Sequence, residues 1–253
     1  MENKLYTTDD KVRWFTSEED VNIRLGKIIG EKFQNYRKKW DAVNRFELET
    51  DFPIFLQLET NQICNLKCPS CPIGQEDGDK KYISSENMGW EMYKKIILEG
   101  EKYGCPSVEP QGTNEPLLDP NLEGYIKFAS EHGFMDIMLN TNGTLLSEQR
   151  SRKFLKSGIT RVRFSLDAAT KETYEKVRLG GKYETTMNNI DKFQILLCSV
   201  NDADSPIAKV PESFSYSGAS LPHSNDCKFI SALKLVFNFL CLRILVWHGD
   251  IWQ

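Results

Sequence analysis

The sequence predicts an α/β fold built on a parallel sheet, and three observations carry that prediction. Between residues 52 and 197 apolar, strand-like runs alternate four times with amphipathic helical stretches, and parallel neighbours need such crossover helices. The helical stretches stop at Gly104, Gly133 and Gly158, the residue type that most readily closes a helix. With 40% hydrophobic and 27% charged residues over 253 positions, the chain reads as globular and long enough to bury a full core.

Taken in order, Val21, Leu25, Ile28, Ile29, Phe33, Tyr36, Trp40 and Val43 recur in steps of three and four, which predicts one long amphipathic helix from 16 to about 43. Thr16 with Glu19, or Ser17 with Asp20, supplies a capping start. This helix reads as packing, with no chemistry of its own. Residues 52–59 alternate and are β-rich at their start, predicting a first strand that leads into a loop with three cysteines. Further elements are predicted at 86–103 (helix), 107–111 (strand), 121–132 (helix), 135–140 (strand), 147–157 (helix) and 161–166 (strand). Helical stretches at 172–178 and 183–197 complete the series. In such folds ligands sit at the C-terminal ends of the strands, and the cysteine loop lies at one.

Past about residue 194 the character changes. The last 59 residues carry nine charged side chains, eight serines and three cysteines, Cys198, Cys227 and Cys241, without strand–helix alternation. Residues 201–226 read as loop or disorder. Residues 230–247 are strongly apolar, but Lys234, Asn238 and Arg243 interrupt them, which favours a core helix over a membrane span. The expected organisation is an N-terminal helical extension (1–51), a βα core (52–197) and an atypical tail (198–253).

A net charge of −4 with mixed signs leaves no footprint for nucleic acid. Seven cysteines, three of them within eight residues, do not form a secreted disulfide framework. The polar start lacks the apolar run of a signal peptide. A reducing cytoplasm is the expected compartment, without membrane association.

The chemistry is concentrated in Cys64, Cys68 and Cys71, spaced C-x3-C-x2-C. Three thiolates on one loop can hold three irons of a cubane iron–sulfur cluster and leave the fourth open. A zinc knuckle or three unconnected cysteines are the alternatives, although zinc wants a fourth ligand and no His or Cys lies between Cys71 and Cys105. Gly112, Thr113, Asn114, Glu115 and Pro116 follow the second strand as a polar turn rich in acceptors, or simply as a surface turn. Asn142–Gly143 marks a turn after the third strand, and Ser165 and Asp167 close the fourth.

In order and position these elements resemble the radical S-adenosylmethionine (radical SAM) superfamily over residues 52 to about 189. The cysteine triplet is similar to its cluster motif and residues 112–116 to its GGEP element, with Thr113 for the second Gly and Asn114 extra. Residues 141–146 are similar to its TNG-x-L-L stretch. Ser165-Leu166-Asp167, with Tyr174 and Arg178, resembles the S-L-D…Y-x-x-x-R block of the SPASM-type branch.

The resemblance implies a partial TIM-like barrel, about four recognisable parallel strands of the usual six, with an N-terminal helix. It implies a 4Fe–4S cluster on Cys64, Cys68 and Cys71, and S-adenosyl-L-methionine (SAM) chelated to the open iron. Gly112, Thr113, Asn114, Glu115 and Pro116 would hold its amino group, with Asn142, Ser165 and Arg178 on its carboxylate or ribose. The activity implied is reductive cleavage of SAM to a 5'-deoxyadenosyl radical, which abstracts hydrogen from a peptide, sugar or other small molecule. Electrons would come from a donor such as flavodoxin or ferredoxin.

Two departures stand out. The residue before the third cysteine, often aromatic in the superfamily, is Ser70, and the tail offers neither a fifth strand nor the clustered cysteines of a SPASM domain. The break near Ile195 is what truncation or a frame shift would leave. A non-catalytic iron–sulfur remnant or interaction protein is therefore the alternative expectation, and a zinc module the third.

Overall fold

The computed structural model describes residues 21–74 and 87–199. Four parallel strands stand in sequence order, β1 (Leu56–Gln57), β2 (Ser107–Glu109), β3 (Asp136–Thr141) and β4 (Arg161–Phe164). The crossovers are α3 (Trp90–Lys102), α4 (Leu122–Glu131) and α5 (Glu148–Lys156), followed after β4 by α6 (Lys171–Val177) and α7 (Tyr183–Ser199). This is the open βα arrangement the sequence predicts, a partial barrel with its helices on one face.

Strand side chains alternate between faces, and here the two faces differ in chemistry. Val108, Ile137 and Leu139 are fully buried and pack with Tyr93, Ile97, Tyr125, Ile126, Phe154 and Phe193 of the helices. On the other face lie Glu109, Asn140 and Arg163. Asn140 Nδ2 donates to Glu109 Oε1 at 2.5 Å, and Arg163 pairs in register with Asn140.

The single N-terminal helix expected from periodicity is two helices, α1 (Val21–Ile29) and α2 (Glu31–Asn44). Gly30 separates them with φ at 92°, a left-handed conformation that a side chain would strain. The apolar stripe continues across the break, so periodicity alone cannot reveal it. Leu25, Phe33 and Tyr36 form a second small core with Ile29, Trp40 and Met135. Strand β1 is shorter than the predicted 52–59, although the Leu58 N–H still donates to Glu109 O at 2.9 Å.

The capping residues at 16–20, most of the 198–253 tail and the apolar run 230–247 lie outside the described residues. Among those described, no helix is long and apolar enough to cross a membrane.

Candidate functional site

Loops leave the C-terminal ends of all four strands and meet at one rim. After β1 the chain climbs through Glu59 and Asn61 into the cysteine loop, where Asn61 Oδ1 accepts from the Ile63 N–H at 3.2 Å and fixes the entry. Cys68 is buried, Cys64 and Cys71 are half-buried, and all three are free thiols. Burial pushes the Cys64 thiol up, and the negative charge of Glu115, Cys68 and Cys71 acts in the same direction; the Leu66 N–H, 3.4 Å from the sulfur, opposes them. On the far side, the Lys67 N–H donates to Leu179 O at 2.8 Å, so the segment after α6 holds the loop.

Among the described residues, no three His, Cys, Asp or Glu side chains converge to hold one metal ion. A cubane takes each thiolate on a separate iron. Three unbridged thiols on one short loop fit the donor set of a cubane.

The turn after β2 is built around Glu115, only 2% exposed. Its Oε1 accepts from Thr141 Oγ1 (2.6 Å) and the Leu117 N–H (3.1 Å), and its Oε2 from the Asn142 N–H (2.7 Å). Its own N–H donates to Ile63 O at 2.9 Å, tying the turn to the cysteine loop. Burial pushes this carboxyl up, against the pull of those hydrogen bonds and the Arg150 charge. A carboxylate has about four lone-pair sites; three are taken, and one on Oε2 can accept a further donor.

After β3, Asn142 closes a small ring. Its Nδ2 donates to Asn65 Oδ1 (2.9 Å) and lies 4.0 Å from Cys64 Sγ, while its Oδ1 accepts from Thr144 Oγ1 (2.6 Å). Asn65 Nδ2 completes the ring by donating to Thr144 Oγ1 at 2.8 Å. The loops after β1 and β3 are thereby joined by side chains.

After β4, the half-buried Ser165 is anchored by its N–H to Thr141 O at 2.9 Å. Asp167 stands at φ 57°, a conformation Asp tolerates better than most residues. It pairs with Arg178 Nη2. Arg178 Nη1 lies 3.7 Å from Cys68 Sγ, and its Nε is buried without a partner. The structure thus brings Arg178 to the cysteine loop.

The cysteine triplet, the 112–116 turn, Asn142, Ser165 and Arg178 all lie on this rim, together with several residues that sequence reasoning missed. Glu59 reads as the end of a strand, yet it bonds Thr113. Asn65 goes unmarked between the cysteines, yet it bonds both Asn142 and Thr144. Arg150 goes unmarked inside the predicted 147–157 helix, yet its Nε donates to Glu123 Oε1 (2.8 Å) and its Nη2 to Asp119 O (3.1 Å), bracing the short 3₁₀ turn Pro116–Leu118. None of these has a local sequence signal.

A family model described as the Radical SAM superfamily matches residues 58–197, more than half of the chain. The chain is 34% identical over 201 residues to a probable GTP 3',8-cyclase of Methanococcus maripaludis, covering 74% of this chain and 59% of that protein. It is 29% identical over 139 residues to a GTP 3',8-cyclase of Desulforamulus reducens, covering 54% and 42%. It therefore spans less than two thirds of the length of these relatives. Among solved structures it is similar to Streptococcus suis SuiB bound to S-adenosylmethionine, with TM-score 0.48 and 17% identity over 66% of this chain and 37% of that one. That likeness is too low to argue from.

Proposed function

The chain belongs to the radical SAM superfamily, whose members use a 4Fe–4S cluster with SAM, and from that premise we propose that residues 52–197 form a unit that binds both and cleaves SAM reductively. Cys64, Cys68 and Cys71 ligate the cluster. When bound, the reduced cluster and SAM would supply radical chemistry for hydrogen abstraction from a substrate.

The protein's own residues orient and enclose. Gly112, Thr113, Asn114, Glu115 and Pro116 hold the amino group of SAM, for which the spare lone pair on Glu115 Oε2 is the acceptor. Asn142, Ser165 and Arg178 face its carboxylate or ribose, and the unpartnered Nε of Arg178 is a buried donor suited to that work. The observation that carries the reading is the meeting of the cysteine loop, Glu115, Asn142 and Ser165 at the ends of four successive parallel strands. Such rims are where α/β folds bind ligands.

The relatives' name makes GTP the first substrate to assay. The Ser165–Arg178 block, which resembles the SPASM-type branch, makes a peptide the second. A flavodoxin or ferredoxin is the proposed donor, in a reducing cytoplasm that would keep the thiols free.

The test is anaerobic reconstitution with iron and sulfide, then dithionite and SAM, with 5'-deoxyadenosine measured by chromatography. The reading expects product from the native chain and none from Cys68→Ala. A reconstituted cluster that cleaves no SAM would instead support a non-catalytic iron–sulfur remnant.

A further inference from the structure

The turn at 112–114 is held from outside its own loop. Glu59 Oε1 accepts from both the Thr113 N–H (2.8 Å) and Thr113 Oγ1 (2.7 Å), and Oε2 accepts from Gln62 Nε2 (3.1 Å). Two residues along, Asn61 Oδ1 accepts from Asn114 Nδ2 (3.0 Å), whose own Oδ1 accepts from the Gly112 N–H (2.9 Å). Asn61 and Asn114 are buried at 1% and 6% exposure. The contact is also tight sterically, since a Cβ on Gly112 would lie 2.4 Å from Glu59 Oε1 and 2.6 Å from its Cδ. Burial pushes the Glu59 carboxyl up, but the bonds from Thr113 and Gln62 outweigh it and hold the group below its ordinary range, so it is charged at neutral pH.

We propose that Glu59 and Asn61 are positioning residues that clamp the 112–114 turn to the exit of β1, so that the amino group of SAM meets a preformed acceptor. This rests on the reading that residues 112–116 hold that group. A turn left free would have to be ordered on binding, and preorganisation removes that cost. The Glu59 arm of the clamp acts on SAM affinity and leaves cluster assembly alone, because its bonds run to Thr113 and Gln62 and not to the three cysteines. Asn61 also fixes the Ile63 N–H at the loop entry, which makes Glu59 the cleaner probe.

The experiment measures labelled SAM by equilibrium dialysis against anaerobically reconstituted protein, with iron content determined on the same samples. Glu59→Ala is expected to weaken SAM binding about tenfold or more at unchanged iron content. Glu59→Gln, which keeps an acceptor oxygen for Thr113, should recover most of the affinity. Glu59→Ala and Thr113→Val should combine less than additively. Should Glu59→Ala fail to fold, Gly112→Ala probes the same contact from the other side and is expected to weaken SAM binding at unchanged iron content.

Unchanged SAM affinity in both Glu59→Ala and Gly112→Ala would overturn the clamp. So would loss of iron in step with loss of SAM, which would mean that Glu59 supports the cysteine loop. Native protein that holds its cluster yet binds no SAM overturns the underlying reading, an outcome visible before any variant is made.

Discussion

At the start of β3, Asp136 accepts from Arg161 Nε (2.6 Å), Arg161 Nη2 (3.1 Å) and Tyr36 Oη (3.1 Å), and Arg161 reaches Asn22 Oδ1 at 2.7 Å. At the other end of the same strand, Thr141 and Asn142 bond Glu115, Asn65 and Thr144 around three free thiols. Both ends are polar and largely buried, but they differ in what is left over. At the lower end the groups are used on one another beneath α1 and α2. The upper rim holds Thr60 Oγ1, Asn61 Nδ2 and Arg178 Nε, three of the four buried polar side-chain atoms without partners among the described residues. An unmet buried group costs about 1–3 kcal/mol, so that cost is concentrated where a ligand can offset it. The lower end serves the fold, and the upper end is where the proposed binding would act.

Substitutions should separate the two ends. The largest effect belongs to the rim: Cys68→Ala is expected to lose its cluster entirely, read as iron content after reconstitution, while the urea midpoint of the metal-free protein moves little. Next comes the lower end. Asp136→Ala leaves Arg161 buried and uncompensated, and should cost about 3 kcal/mol in urea unfolding, with SAM affinity of the folded fraction unchanged. Loss of SAM binding from Asp136→Ala would break the division.

Tyr36 sharpens the comparison through pH. Burial, then the charge of Asp136, pushes its phenol up from 10 to about 12. The folded state keeps the proton that the unfolded chain releases earlier, so this contribution is full below pH 10 and is lost as pH rises through about 12. The native protein should lose about 2–3 kcal/mol across that window, a loss absent in Tyr36→Phe. The smallest effect is expected from Asn65→Ala, which opens the ring with Asn142 and Thr144. It should cost about 0.5–1 kcal/mol of stability and weaken SAM binding at unchanged iron content.

The core strands and the residue set of the rim were legible in the sequence; the contacts at either end of β3 were not, since Tyr36 meets Asp136 across 100 positions and Arg161 meets Asn22 across 139. Ile137 and Leu139 sit in a short apolar run bounded by turns, a pattern local enough to read, and Val108 lies on a short segment between the Gly104 helix stop and the polar turn at 112–116. The cysteine triplet is local too, and its position after a strand was legible for the same reason. The contacts that join the loops were not, because they are long-range: Glu59 meets Thr113 across 54 positions and Arg178 meets Cys68 across 110. The break at Gly30 escaped for another reason, since the apolar stripe keeps its phase through it.

That the rim brings a cluster and SAM together is tested most directly by the electron paramagnetic resonance spectrum of the dithionite-reduced, reconstituted protein, recorded with and without SAM. Binding of SAM at the open iron predicts that the cluster signal changes on addition of SAM and that Glu59→Ala needs a higher SAM concentration for the same change. A cluster signal identical in the presence and absence of saturating SAM would contradict it.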